Sequence, residues 1–333
     1  MNRMLKTLIF SLIATASLLQ SGCAKYHGEP EVIPIDPVYT MTVLYRRSDD
    51  NNNNELWKVQ SDGSNKQKLN IVLPAGWVLD DEDMAEVTND NKSIVFLAYN
   101  PATFVRAIYK CNVDGTNVSK VSADSPVSLA LQAVVNSTAI LYWKDASAIS
   151  SDIELWTINI DGTNNHQINV TLPAGITFGD EELAKVTPNG QTIIFLTKNI
   201  STGQEAIYKS NLDGSAPAII INETAGFNIA LQSLLGEKAI LYRRTSDLTA
   251  NELWSVNIDG TGRQKIAINV PAGQELQNEE MAKGISSRFA ILFTTKNTTT
   301  NQGSIYLYNA EDSAIHLLMQ EALGYSIAIQ TTY

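Results

Sequence analysis

The chain has 333 residues, 44% hydrophobic and 18% charged, with 24 Lys and Arg against 35 Asp and Glu and a formal net charge of −11. A chain this apolar can bury a sizeable core, in one all-β domain or two, and the sign of its field argues against nucleic acid and anionic lipid surfaces as partners. Of the two cysteines, Cys23 and Cys111, the second falls inside a strand-like repeat. There it reads as a small buried hydrophobe, not a reactive thiol.

Residues 1–22 read as an export leader. Arg3 and Lys6 form a basic start, Leu8 to Leu19 an apolar stretch too short for a comfortable span, and Gln20-Ser21-Gly22-Cys23 a small-residue cleavage site. This resembles a bacterial lipoprotein signal, which implies that Cys23 is the lipidated first residue of the mature protein. Gln20 stands where that family usually has Leu, so ordinary secretory cleavage and an uncleaved anchor are the alternatives. Without Arg3 and Lys6 the balance is 22 basic against 35 acidic residues, a net charge near −13.

Residues 23–40 carry Pro30, Pro34 and Pro37 and show no strand or helix period, as expected of an extended tether. Ala24 is not the Asp that marks inner-membrane retention in enteric bacteria. By that sorting rule the protein is expected to be periplasm-facing and lipid-anchored, in the outer membrane of a Gram-negative envelope.

From residue 41 onward one pattern recurs: ELWKVQSDGS at 55, AIYKCNVDGT at 107, ELWTINIDGT at 154, AIYKSNLDGS at 206, ELWSVNIDGT at 252 and SIYLYNAEDS at 304. Each reads as an alternating strand followed by a tight turn, with Asp-Gly at the position of positive φ in all but the degraded sixth copy. The starts are separated by 52, 47, 52, 46 and 52 residues, so long and short units alternate in a super-repeat of 99 and then 98. Units of this size with several short strands each predict a six-bladed β-propeller over 41–333, all-β, with four-stranded antiparallel blades.

The first unit lacks an innermost strand, because only the tether precedes it. Ser326–Thr331 (SIAIQT) matches SLALQA at 128 and NIALQS at 228, so the C-terminal strand is expected to complete the first blade in a one-plus-three closure.

Ile-Tyr or Leu-Trp, then Asp-Gly-Ser/Thr, a short outer strand and a turn such as Thr187-Pro188-Asn189-Gly190-Gln191 make a unit similar to the TolB-like β-propeller repeat. The resemblance covers about 41–333 and does not extend to the additional α/β domain at the front of TolB. Members of this class commonly serve as periplasmic binding modules, so it implies a binding or scaffolding role with a protein partner in the envelope.

A site is expected on the face of the long connections, where Glu82, Asp83, Glu181, Glu182, Glu279 and Glu280 precede the innermost strands of the even units. Three acidic clusters would then ring one mouth of the channel and bind a partner or a cation. Alternatively they pair with bases at the ends of the second strands: Arg46-Arg47, Lys144, Arg243-Arg244, Lys198 and Lys296. Gln132, Gln232 and Gln330 end inner strands and are candidate channel-lining residues, or else satisfy backbone groups beside the axis. Trp57, Trp156 and Trp254, with Tyr109, Tyr208 and Tyr306, are expected to pack blade on blade.

No cofactor and no metal site is expected. The Asp49–Asn54 run has Asn54 where a calcium loop needs Gly. The three histidines, His27, His166 and His316, fall in the tether and at or near outer strands, too scattered for a metal or a catalytic base. The chain is expected not to be an enzyme and to be a monomeric propeller; a carbohydrate-active or glycan-binding propeller using the mouth carboxylates is the alternative.

Overall fold

The computed structural model describes residues 41–333, except 50, 52, 81–84, 148–149, 180–182, 247–248, 278–280, 286–289 and 310–312. The leader, Cys23 and the tether lie outside the described residues.

The described strands form six antiparallel sheets, the six blades of a propeller. Blade 1 joins Tyr325–Thr332, Thr42–Asp49, Asn54–Gln60 and Gln67–Lys68, in that order from the axis outward. The last strand of the chain therefore closes the ring as expected: Ile329 lies opposite Tyr45 and Ile327 opposite Arg47. Blade 3 (Leu129–Val135, Ala139–Ser147, Ser150–Asn159, His166–Ile168) and blade 5 (Asn228–Leu235, Ala239–Ser246, Thr249–Asn257, Gln264–Lys265) share its plan.

The even blades differ at the inner strand, which comes in two pieces: Val78–Leu79 and Ala85–Val87 in blade 2, Ile176–Phe178 and Ala184–Val186 in blade 4, Gln274–Leu276 and Ala282–Ile285 in blade 6. The register defines the interruption. Leu79 faces Ala98 and Ala85 faces Phe96, so the two pieces flank a single residue, Leu97, of the second strand. The pieces ending at Phe178 and starting at Ala184 likewise flank Leu196, and those ending at Leu276 and starting at Ala282 flank Thr294. Alternating blade types are thus the physical content of the 99-residue super-repeat.

Burial in the second strands runs through consecutive residues and not every other one. In Ile140-Leu141-Tyr142, Ile193-Ile194-Phe195-Leu196 and Ile291-Leu292-Phe293 every residue is buried, because both faces of a blade pack on neighbours. In blades 1 to 5 an Asp-Gly turn closes the third strand onto the fourth. Asp161 accepts the Thr163 amide at 2.9 Å and Gly162 sits at φ 87°. A Cβ on Gly162 would lie 2.7 Å from the Val121 carbonyl of the preceding blade, so conformation and space both require glycine there.

The connections from second to third strands are short. Residues 101–104 and 200–204, for example, turn directly back into the sheet, since adjacent antiparallel strands need only a hairpin.

Candidate functional site

The six inner strands converge on a central cavity of about 360 Å³. All six blades line it, at the end where first strands turn into second strands; Thr88, Gln132, Thr187, Gln232, Lys283 and Thr331 mark its circuit. One register position recurs in the even blades. Glu86 faces Val95, Lys185 faces Ile194 and Lys283 faces Leu292. Lys283 Nζ lies 3.8 Å from Glu86 Oε1, so this end of the channel carries one more cation than anion at these three positions. The triplets Ala85-Glu86-Val87, Ala184-Lys185-Val186 and Ala282-Lys283-Gly284 follow the acidic runs at the super-repeat spacing. That spacing was the available signal for them.

Gln132, Gln232 and Gln330 are 1%, 2% and 1% exposed. Their side-chain carbonyls reach from each odd blade to the next even one. Gln132 Oε1 accepts the Ala184 amide at 2.6 Å, Gln330 Oε1 accepts the Ala85 amide at 2.9 Å, and Gln232 Oε1 accepts both Met281 at 2.6 Å and Ala282 at 3.1 Å. An inner-strand interruption leaves donors without a ladder partner, and the glutamine supplies the acceptor. Replacing Gln232 with Ala strands two buried donors, so a loss of about 1–3 kcal/mol is expected. Thermal melting read by circular dichroism checks this; a melting point unchanged from the parent contradicts it.

The candidate carboxylates Glu82, Asp83, Glu181, Glu182, Glu279 and Glu280 lie outside the described residues. Their flanks are described: each acidic run falls in sequence between the two pieces of an inner strand. In blade 4 the Gly179 amide donates to the Leu196 carbonyl at 3.1 Å and the Leu196 amide donates to the Leu183 carbonyl at 2.8 Å, so a single residue holds both ends. Gln277, Thr294 and Met281 repeat this in blade 6, at 3.3 and 2.8 Å. In blade 2 Asp80 is buried and accepts from Arg106 Nε at 2.7 Å.

The bases of the second strands pair with carboxylates the sequence reading did not single out. Arg244 is 3.3 Å from Glu223 and 3.4 Å from Glu252, and Arg263 makes a short contact to Glu223. In blade 1 Arg47 is 3.7 Å from Glu321 and 3.9 Å from Glu55, with Lys66 2.5 Å from Glu321. The Glu223 and Glu321 side chains are 0% and 2% exposed. Each arginine is stacked under a ring, Phe227 at 3.3 Å and Tyr325 at 3.5 Å. Burial, and after it the charge of Glu321, pushes the Tyr45 hydroxyl far up, so it stays protonated and donates to Glu321 Oε1 at 3.1 Å. Burial alone would raise the Glu252 carboxyl. Hydrogen bonds from Lys265 and Trp254, and the charge of Lys265, outweigh it and hold the group below its ordinary range. Glu223 and Glu321 were missed although they open matching segments 98 residues apart, Glu223 to Phe227 and Glu321 to Tyr325, and that repeat was the available signal.

Burial pushes the Cys111 thiol up to about 12, so the thiolate is scarcely populated near neutrality. Asp49 accepts from the Asn51 and Asn53 amides at 2.9 Å as part of a hairpin turn. His166 is exposed, with Nδ1 2.9 Å from the Asn164 carbonyl. Among the described residues no group of three or more His, Cys, Asp or Glu is gathered as metal ligands. The repeated Trp57, Trp156 and Trp254 each donate Nε1 to the glutamate two residues before, at 2.8–2.9 Å.

Closed ring, four-stranded blades and a polar channel define the class: a six-bladed β-propeller of the TolB-like fold. The fold matches TolB from Acinetobacter baumannii at 12% identity and TM-score 0.63, over 86% of this chain and 65% of that one. It matches a structure described as TolB from Agrobacterium tumefaciens at 9% and 0.54, over 86% and 91%, and an oligogalacturonate lyase in complex with manganese at 10% and 0.52, over 84% and 73%. At such identities the likeness is one of fold. This chain spans less than two thirds of the Acinetobacter protein. The sequence matches no protein-family model and no curated relative.

Proposed function

We propose that the protein is a non-enzymatic binding module of a bacterial envelope, held by lipid on Cys23 and facing the periplasm from the outer membrane. It presents its channel to a protein partner. One observation carries this reading. The inner strands of alternate blades are interrupted at one register, acidic residues fall in the sequence between the two pieces, and the strand after each interruption is gripped by a buried glutamine of the neighbouring blade. A scaffold that repeats an insertion threefold and braces it each time serves a multivalent polar contact better than chemistry, which requires two carboxyls of unequal tuning.

Reversing Glu82, Glu181 and Glu279 together to Lys tests it, with crosslinking pull-down from envelope membranes as the readout. Capture of a partner by the parent and its loss by at least about tenfold in the triple variant is the expected result. Equal capture by both removes the acidic segments from the reading.

A further inference from the structure

The charge networks of blades 1 and 5 should have a third copy at blade 3, and the third copy is hollow. By backbone position Ser125 stands where the buried glutamates stand elsewhere. Its amide donates to the Arg106 carbonyl at 2.8 Å, as Glu223 does to the Glu205 carbonyl and Glu321 to that of Gly303, both at 2.9 Å. Lys144, opposite Leu129, takes the place of Arg244 opposite Ile229 and Arg47 opposite Ile327. Val127 replaces the stacking ring of Phe227 or Tyr325, and Asn165, three residues after the turn glycine, replaces Arg263 or Lys66. The chain between the glutamate and ring positions is also shorter, Pro126 alone against three residues.

What these losses leave is a cavity of about 300 Å³ between blades 2 and 3, bordered by Ser125, Pro126, Val127, Tyr142, Lys144 and Asn165. That volume reaches the lower end of small-molecule pockets. The remaining polar groups are poised for an anion. Lys144 Nζ lies 3.8 Å over the Trp156 ring, and among the described residues no carboxylate is within ion-pair distance of it. Glu154, its cross-strand neighbour, accepts from Trp156 Nε1 at 2.9 Å. The Tyr142 hydroxyl donates to Asn165 Oδ1 at 2.7 Å. Two acids also border the cavity. Asp124 is taken up by Lys120, and Asp145 follows Lys144 on the strand, so alternation turns its side chain to the other face.

We propose that this cavity binds a small carboxylate with a planar apolar body, the two pieces that Glu223 and Phe227 supply covalently in blade 5. The ligand carboxylate accepts from Lys144, where Arg244 meets Glu223. Its ring lies against Pro126 and Val127, where Phe227 covers Arg244. The blades that lack such a cavity carry their own carboxylate and ring, which confines binding to one of three equivalent interfaces.

Titration of the purified protein with phenylacetate, 2-phenylethanol and acetate, followed by ligand-detected NMR, tests the assignment. Phenylacetate is expected to bind at least about tenfold more tightly than either control, and Lys144→Gln to weaken it by about tenfold or more. The double variant Ser125→Glu with Val127→Phe, which restores the glutamate and the ring, is expected to abolish binding. Should the refilled variant fail to fold, Lys144→Gln decides alone, since that side chain is only partly buried and holds no ion pair among the described residues. Phenylacetate that shows no binding up to about 10 mM, that is matched by 2-phenylethanol, or that binds Lys144→Gln as it binds the parent overturns the proposal.

Discussion

Deleting Tyr325–Tyr333 is expected to unfold the propeller, not to trim it. The strand Tyr325–Thr332 buries Ile327 and Ile329 at 2% and 0% exposure, and two large apolar side chains at roughly 1.5–3 kcal/mol each amount to about 3–6 kcal/mol. Gln330 is lost with it, so the Ala85 amide loses its acceptor, at a further cost of about 1–3 kcal/mol. The strand Thr42–Asp49 would also become an unpaired edge beside the channel, open to pairing with other chains. Against a total stability of about 5–15 kcal/mol, this removes most or all of the folded population. Soluble yield and the circular-dichroism melt report it. A truncated protein that stays soluble and melts like the parent would show that the closure contributes little.

Glu223→Ala is expected to cost about 3–5 kcal/mol, as removal of one partner from a buried charge group does. The glutamate is fully buried and lies against two guanidiniums, Arg244 and Arg263, whose side chains are 14% and 29% exposed. Its removal leaves two cations and a single near carboxylate, Glu252. Water can reach Arg263, which places the loss toward the lower end. The carboxylate also caps the Thr224 amide at 2.7 Å, so Glu223→Gln, which keeps that acceptor, should lose less. Replacing Arg244 with Leu in the Glu223→Ala background should recover part of the loss, because an apolar pair removes the desolvated charges. Urea denaturation of the four proteins measures the cycle; an alanine variant within about 1 kcal/mol of the parent would mean that the network is solvated enough to be neutral.

The two variants bear on different levels of the fold, and those levels differed in how far the sequence revealed them. Strand order, blade number and ring closure were legible because each follows from a local signal repeated in register: aromatic alternation, the Asp-Gly turn, and the Ser326–Thr331 match to residues 128–133 and 228–233. A period-two pattern must bury one face or two, and six such units of similar size have a ring as their closed solution. The paired roles of Gln132, Gln232 and Gln330 were half legible. Their repetition marked them as structural or channel-facing, but the donors they meet at Ala85, Ala184 and Met281 belong to other blades.

The chain alone also carried the alternation of long and short units and the acidic runs, which are contiguous in sequence. Tertiary structure decided what those features are next to. It showed that the inner strands of the even blades come in two pieces, because Leu79 and Ala85 flank one residue of the neighbouring strand. It matched Glu223 and Glu321 to arginines of the following blade, and left Lys144 without that partner at the third interface. Side-chain pairing across blades depends on distances between strands far apart in the chain. A repeat read in one dimension therefore cannot reveal which copy of an interface has been emptied.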